Sequence, residues 1–375
     1  MSIEFIWRLP VSGDGRSAHS KEWNRGDYQS GTNHRNEFSR FGLNRDGYTY
    51  YDHLAQIARA VEISGFNALF IPQSVSGEEP QIVAGALARE VRRLKFIVSL
   101  PTALISAVYS AKIANSFQRL SGGRLNWHFA HEELTEPAWH GQHWSFSEQL
   151  DRTDEFLTLT KGFWHQAPFN FEGRYFLVEN GGFPPALQGE RHPSIYFNGL
   201  SDAEINLSGR HADVHILAAA PLAEIQQQIQ QLQHSAEMNG RTVKLYLSAD
   251  LLARRDHDTA WQELEQRFTE AQQKTVPLRQ QQADLQPDAA SLLQDQLVWS
   301  GFDQLRPGQA AGLVGGYDEL AQRLLDYINL GIEGFVLGAN PHLEEAWRIG
   351  EHILPRVREA LTIQLTTDPN LASAI

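Results

Sequence analysis

The sequence predicts an α/β fold, a single (β/α)8 TIM barrel, and three observations point to it. Short β-rich runs alternate with stretches of helical periodicity, the pattern of βα units around a parallel sheet. Eight such runs follow one another along the 375 residues. The Gly-rich fingerprint of a doubly wound sheet is missing after the first run, where Gly13-Asp14-Gly15 is too short and lies in a long loop.

The units read in order as follows. Strand one is Ile3–Leu9, and a polar stretch from Ser12 to Thr49 follows it, longer than an ordinary connection. Tyr51–Ser64 carries Leu54, Ile57, Ala58 and Val61 on one helical face, with Gly65 as its stop. Ala68–Ile71 is strand two and Phe96–Leu100 strand three. A helix over Ala107–Leu120 ends in Ser121-Gly122-Gly123, and Leu125–Ala130 is strand four. After a helix over Glu148–Trp164 come strand five, Ser194–Phe197, strand six, Val214–Leu217, and strand seven, Lys244–Leu252. Strand eight is Gly334–Leu337, and Leu343–Leu361 is the closing helix. The stretch between strands seven and eight is longer than a unit needs. Its Gln-rich part predicts a helical excursion and lid over roughly residues 262–315. One barrel domain over 1–365 with a short tail, 366–375, is the expected organisation.

Composition narrows the function. A net charge of −13 repels phosphate backbones, so nucleic acid is not an expected partner. With no cysteine, disulfides, thiolate catalysis and Cys-ligated zinc are excluded. The N-terminal MSIEFIWRLP has no basic region followed by a long apolar run, and no apolar run of membrane-spanning length occurs. A cytoplasmic protein is the expectation.

In a barrel the chemistry sits at the carboxyl ends of the strands, which selects candidates directly. Strand one gives Ser12, and strand four gives His128 and His131, suited by their near-neutral titration to a donor or proton-shuttle role. The plainer alternative is a pair of strand-end histidines bonded to backbone or water. Zinc bound by His128, His131, Glu132 and Glu133, with His140 and His143 in reserve, is conceivable, but spacing alone is weak and no metal is expected. Asn198-Gly199-Leu200-Ser201-Asp202 leads from strand five into a helix. Gly199 permits close backbone approach, and the helix start offers free N–H groups to an anion unless it is an ordinary cap. Arg306 lies in the excursion beside Pro307-Gly308, where a solvated surface arginine is the ordinary outcome. Ser248 and Asp250 on strand seven, two residues apart, share a face, and Asn340 follows strand eight.

Several segments together carry a family resemblance. FIWRLPVSGDG opens the chain; Leu94-Lys95-Phe96, Leu100-Pro101-Thr102-Ala103 and Gln118–Arg124 (QRLSGGR) follow; then come YFNGLSD and Trp299-Ser300-Gly301. The most specific is GLVGGYDELAQRLLDYINLGIEGFVLGANPHLEEAWRIGEHILP. The chain resembles the bacterial-luciferase-like flavin monooxygenases, and among them the alkanesulfonate monooxygenase branch. That resemblance implies a barrel that takes reduced FMN from a separate NAD(P)H-dependent flavin reductase and uses O2 to oxygenate a small organic substrate, as a homodimer or homotetramer. It places the flavin phosphate at Asn198–Asp202, Leu100 beside the cofactor, and the mobile-loop arginine at Arg306. His128 and His131 fall on the polar positions of strand four.

The departures bear on the substrate. The sulfonate branch has a His where this chain has Ser12, a Cys near Gly77, a Tyr at Leu150 and a Tyr at Asn340, and its Arg-x-His on strand seven is Ser248-Ala249-Asp250 here. With a carboxylate where a cation would draw in an anion, a substrate other than a simple alkanesulfonate is expected, with a donor group facing Asp250. The alternative is that Asp250 is paired within the protein, with Arg254 or a lid residue. A flavin- or deazaflavin-dependent dehydrogenase and a flavin-binding protein without oxygenase activity are the rival functions.

Overall fold

A computed structural model describes residues 3–13, 49–73, 77–129, 144–275, 288–305 and 310–367. Eight parallel strands close into a barrel. They are β1 (Glu4–Arg8), β2 (Ala68–Ile71), β3 (Lys95–Ser99), β4 (Leu125–Phe129), β7 (Ile195–Phe197), β8 (Val214–Ala218), β9 (Lys244–Arg254) and β12 (Ile332–Gly338). Each pairs with the next, β12 returns to β1, and β8 pairs with β9 to close the ring. Between β4 and β7, a hairpin of β5 (Phe169–Glu172) and β6 (Leu177–Gly181) stands apart as its own small sheet. The expected fold class is therefore the observed one, with strand ends displaced by a residue or two.

The strand alternation builds two separate apolar layers. One face fills the barrel with Ile6, Ala68, Phe70, Ile97, Tyr196, Val214, Ile216, Tyr246 and Val336. The other meets the helices with residues such as Phe5, Trp7, Phe96, Val98, Trp127, Phe129 and Phe335. The helices that cover this outer layer start from local signals. Helix α1 (Tyr50–Ile63) is capped by Thr49 with Asp52 returning the bond, and α2 (Pro80–Leu87) by Glu79. Helix α3 (Ala107–Ser121) starts at Ser106 and stops at Gly122, which takes φ +73°, a left-handed conformation that favours glycine. Helix α4 (Phe146–His165) has the Ser145/Glu148 capping box. Helices α5 (Asp202–His211) and α6 (Leu222–Met238) follow β7 and β8.

Two regions differ from the sequence expectation. The excursion after β9 is more than helix and loop. Helix α7 (His257–Thr275) is followed by β10 (Val298–Trp299), the one-turn α8 (Phe302–Leu305) and β11 (Gly312–Gly316). Strand β11 runs parallel to the end of β9, from Asp250 to Arg254, with β10 antiparallel on its far side. This annex has its own core of Leu252, Leu264, Phe268, Trp299, Phe302 and Val314. The sequence Gly-Leu-Val-Gly-Gly of β11 has no alternation to announce a strand. After α9 (Tyr317–Asn329) and β12, the closing helix is two helices, α10 (His342–His352) and α11 (Leu354–Thr367). The ladder breaks at Ile353 because Pro355 has no N–H to continue it.

Candidate active site

The inward-facing residues at the carboxyl ends of the strands form the mouth. On β3 and β4, Ser99 and His128 are register partners, and Ser99 Oγ lies 2.8 Å from His128 Nδ1. Both are buried, and the His128 ring meets Phe70 on β2 in a T-shaped contact at 4.8 Å between centroids. The imidazole is therefore fixed in orientation by a hydroxyl on one side and an aromatic ring on another, as a proton-handling group needs to be. His131, like Arg306, lies outside the described residues, as do Glu132, Glu133, His140 and His143.

Ser248 and Asp250 do share the inward face of β9, continuing the line from Tyr246 in the barrel core. Ser248 is half-buried and Asp250 buried. The Asp250 carboxylate accepts from the Arg8 guanidinium at the end of β1. Between these strands runs β12, whose Gly338 is the register partner of Asp250. A Cβ on Gly338 would stand 2.6 Å from Asp250 Oδ1 and 2.8 Å from Arg8 Nη2, so the pair crosses the sheet over the bare backbone of this glycine. The carboxylate that sequence reading left facing substrate thus has a cation built into the wall, and that cation is Arg8 rather than Arg254.

Arg254 belongs to a second network. It bonds Glu263 on α7 and, at 3.1 Å, Glu345 on α10. Glu263 also holds Arg267 at 2.5 Å, and Arg267 donates at 3.1 Å to the carbonyl of Asn340. Burial raises the Glu263 carboxyl, but the hydrogen bond from Arg254 and the charge of Arg267 outweigh it and hold the group down at about 2. Helix α7 is thereby braced on the Asn340–Pro341 corner, whose peptide is cis, and Asn340 itself is half-buried at the rim. Ser12 is exposed in the first loop, which is tied to the β2–α2 connection by Glu78 N donating to Val11 O at 3.0 Å.

Leu100 packs into the strand–helix core, and only its backbone reaches the mouth, donating at 2.9 Å to His128 O. Asn198, Leu200, Ser201 and Asp202 are exposed, and Gly199 takes φ +104° at the turn into α5. The start of α5 is not an open row of donors. Ser201 caps it, and the Glu204 carboxylate accepts from Ser201 N at 3.0 Å and Ser201 Oγ at 2.6 Å. A Cβ on Gly199 would meet Glu204 Oε1 at 2.2 Å, so the carboxylate rests on the glycine backbone. As it stands, this seat holds the protein's own anion and does not fit a phosphate. The mouth offers a buried hydroxyl–imidazole pair beside the Phe70 ring, the kind of donor set and apolar surface that a planar polar ring needs.

A family model described as luciferase-like monooxygenase matches residues 30–334. The chain belongs to the luciferase-like monooxygenase family. It is accordingly an oxidoreductase. Among solved structures, a riboflavin lyase, crystallised with modified FMN and riboflavin as substrate, is 18% identical, with a TM-score of 0.69 over 96% of this chain and 92% of that one. The EDTA monooxygenase of Chelativorans sp. BNC1 gives the same identity and TM-score over 96% and 94%. An F420-dependent secondary alcohol dehydrogenase, solved with an F420–acetone adduct, is 15% identical, with a TM-score of 0.65 over 95% and 99%. At these identities the likeness is one of fold. Sequence reasoning missed Arg8 and Glu204. The parity of Ile6 and Arg8 on β1 was the available signal for the first, and the Ser-x-x-Glu spacing of a capping box for the second.

Proposed function

We propose that the chain is a two-component flavin-dependent monooxygenase. It uses reduced flavin, expected as FMN from a separate NAD(P)H-dependent reductase, and O2 to oxygenate a small organic substrate other than a simple alkanesulfonate. The observation that carries the reading is the buried Ser99–His128 pair at the mouth of a barrel of this family. Reduced flavin, when bound, supplies the electrons for activating O2. The chain's part is to hold a ring against the mouth, exclude water and manage a proton at the His128 imidazole, whose Nδ1 is held by the Ser99 hydroxyl. The substrate reading rests on Arg8: its charge is already met by Asp250, so a sulfonate entering there competes with a carboxylate in place. Ser248, Ser12 and Asn340 are the other substrate-facing candidates. Arg306 is carried from the sequence as a residue that closes over the site, and the assembly is proposed as a homodimer or homotetramer.

The test supplies purified protein with a flavin reductase, NADH, FMN and isotopically labelled O2 across a panel of small organic compounds. One labelled oxygen atom in a product supports the reading. An alternative with a structural counterpart is a deazaflavin-dependent dehydrogenase, given the resemblance of fold to the F420-dependent alcohol dehydrogenase. Oxidation of an alcohol without O2, with reduction of the deazaflavin, would replace the monooxygenase by that function.

A further inference from the structure

We infer that Glu204 sets this chain's response to the flavin phosphate, filling the seat at the start of α5 so that a phosphorylated flavin binds there no better than its neutral, dephosphorylated form. The inference rests on the flavin reading above and deepens it. Four observations carry it. The Glu204 side chain is buried, 7% exposed, although it sits in the first turn of a helix that otherwise starts in solvent. Its Oε2 accepts from both the backbone N–H and the hydroxyl of Ser201, two donors an incoming phosphate would need. Its Oε1 lies on the Gly199 backbone, in the space that the positive φ of that glycine opens at the turn. Asp202 adds a second carboxylate to the same turn.

The loop's other flank is no more favourable to a dianion. An open cleft of about 570 Å³ adjoins it, with Leu200 on one side and Glu224, Gln227, Gln228 and Gln231 of α6 on the other. Amides suit hydroxyl groups, and a carboxylate repels phosphate. The helix dipole favours one negative charge at this end, and Glu204 supplies it from within the chain. A phosphate reaches the Ser201 donors only if Glu204 withdraws, which gives up two hydrogen bonds to a charged acceptor.

The experiment measures anaerobic binding of reduced FMN and reduced riboflavin to the full-length protein and to Glu204→Gln and Glu204→Ala. Glutamine retains the capping-box hydrogen bonds and removes only the charge, so the helix start survives the change. Glu204→Ala empties the seat. The wild-type dissociation constants for the two flavins should agree within about threefold; Glu204→Ala should tighten FMN about tenfold and Glu204→Gln, which removes the charge but still fills the seat, by about threefold, while riboflavin moves less than about twofold in either. Wild-type preference for FMN by about thirtyfold or more, unchanged in both variants, would overturn the role of Glu204 and leave the flavin reading standing. Failure of all three proteins to bind either flavin would overturn both.

Discussion

Two carboxylates border the mouth of this barrel, and the fold treats them differently. Asp250 sits on β9, buried, and is met by the Arg8 guanidinium across the bare backbone of Gly338. Glu204 sits in the first turn of α5 and is met by the N–H and hydroxyl of Ser201, neutral donors on a loop exposed to solvent. At Asp250 the charge is cancelled by a cation. At Glu204 the charge is only solvated by dipoles. The strand wall is therefore electrically closed to an added anion, whereas the helix rim keeps a net negative charge that a ligand must contend with. The same side-chain chemistry thus yields a rigid piece of the wall in one place and a selective group in the other.

Removing one partner of the wall pair should have the largest effect. Arg8→Met or Asp250→Asn should destabilise the fold by about 3–5 kcal/mol, because each breaks the ion pair in the wall. Removing both together should cost less than the two changes added. Chemical denaturation of the three variants reads this directly. Additive losses would mean that the two side chains do not act as a pair.

Gly338→Ala addresses the crossing itself. The new methyl would overlap both Asp250 and Arg8, so the pair must shift, at a cost of about 1–3 kcal/mol. An alanine variant as stable as the wild type would mean that the pair does not need the bare backbone.

Acid sharpens the contrast between the two regions. On the outward face of β8, His215 Nδ1 lies 2.9 Å from Ser208 Oγ of α5, and burial pulls its pKa from 6.5 to about 4. The folded state binds this proton less readily than the unfolded chain. The stabilisation is therefore complete above about pH 6.5 and drains as pH falls toward about 4, by up to about tenfold in the folding equilibrium per pH unit. Hydrogen exchange, corrected for its intrinsic pH dependence, should quicken in α5 before it does in β9 as pH is lowered. Equal responses in the two elements would remove the distinction.

The barrel was legible in the sequence because its strands are short apolar runs bounded by clear turn signals, and β2 begins and ends where the pattern puts it. The annex was less so: the glycines of β11 hide a strand that exists only because the end of β9 offers it an edge. The strand-end rule singles out His128, Ser248 and Asp250, which the structure places at the carboxyl ends of their strands, and period-two parity puts the last two on one face. It did not reveal Arg8, because a partner two strands away is set by closure of the sheet and by Gly338, neither of which local spacing encodes. The loop into α5 left two readings open in the sequence, free donors for an anion or an ordinary cap; the structure has the cap, and the Ser201-x-x-Glu204 spacing that makes it lies in the same segment.

On the proposed function, this barrel directs reduced flavin toward oxygen rather than toward hydride exchange with a substrate. Rapid mixing of the anaerobic protein–reduced FMN complex with O2, followed by absorbance, tests it most directly. A distinct lag before the oxidised-flavin spectrum returns, longer than for free reduced FMN, is expected, with a shorter lag in His128→Ala. Oxidation at the rate of free flavin, unaffected by His128→Ala, would contradict it.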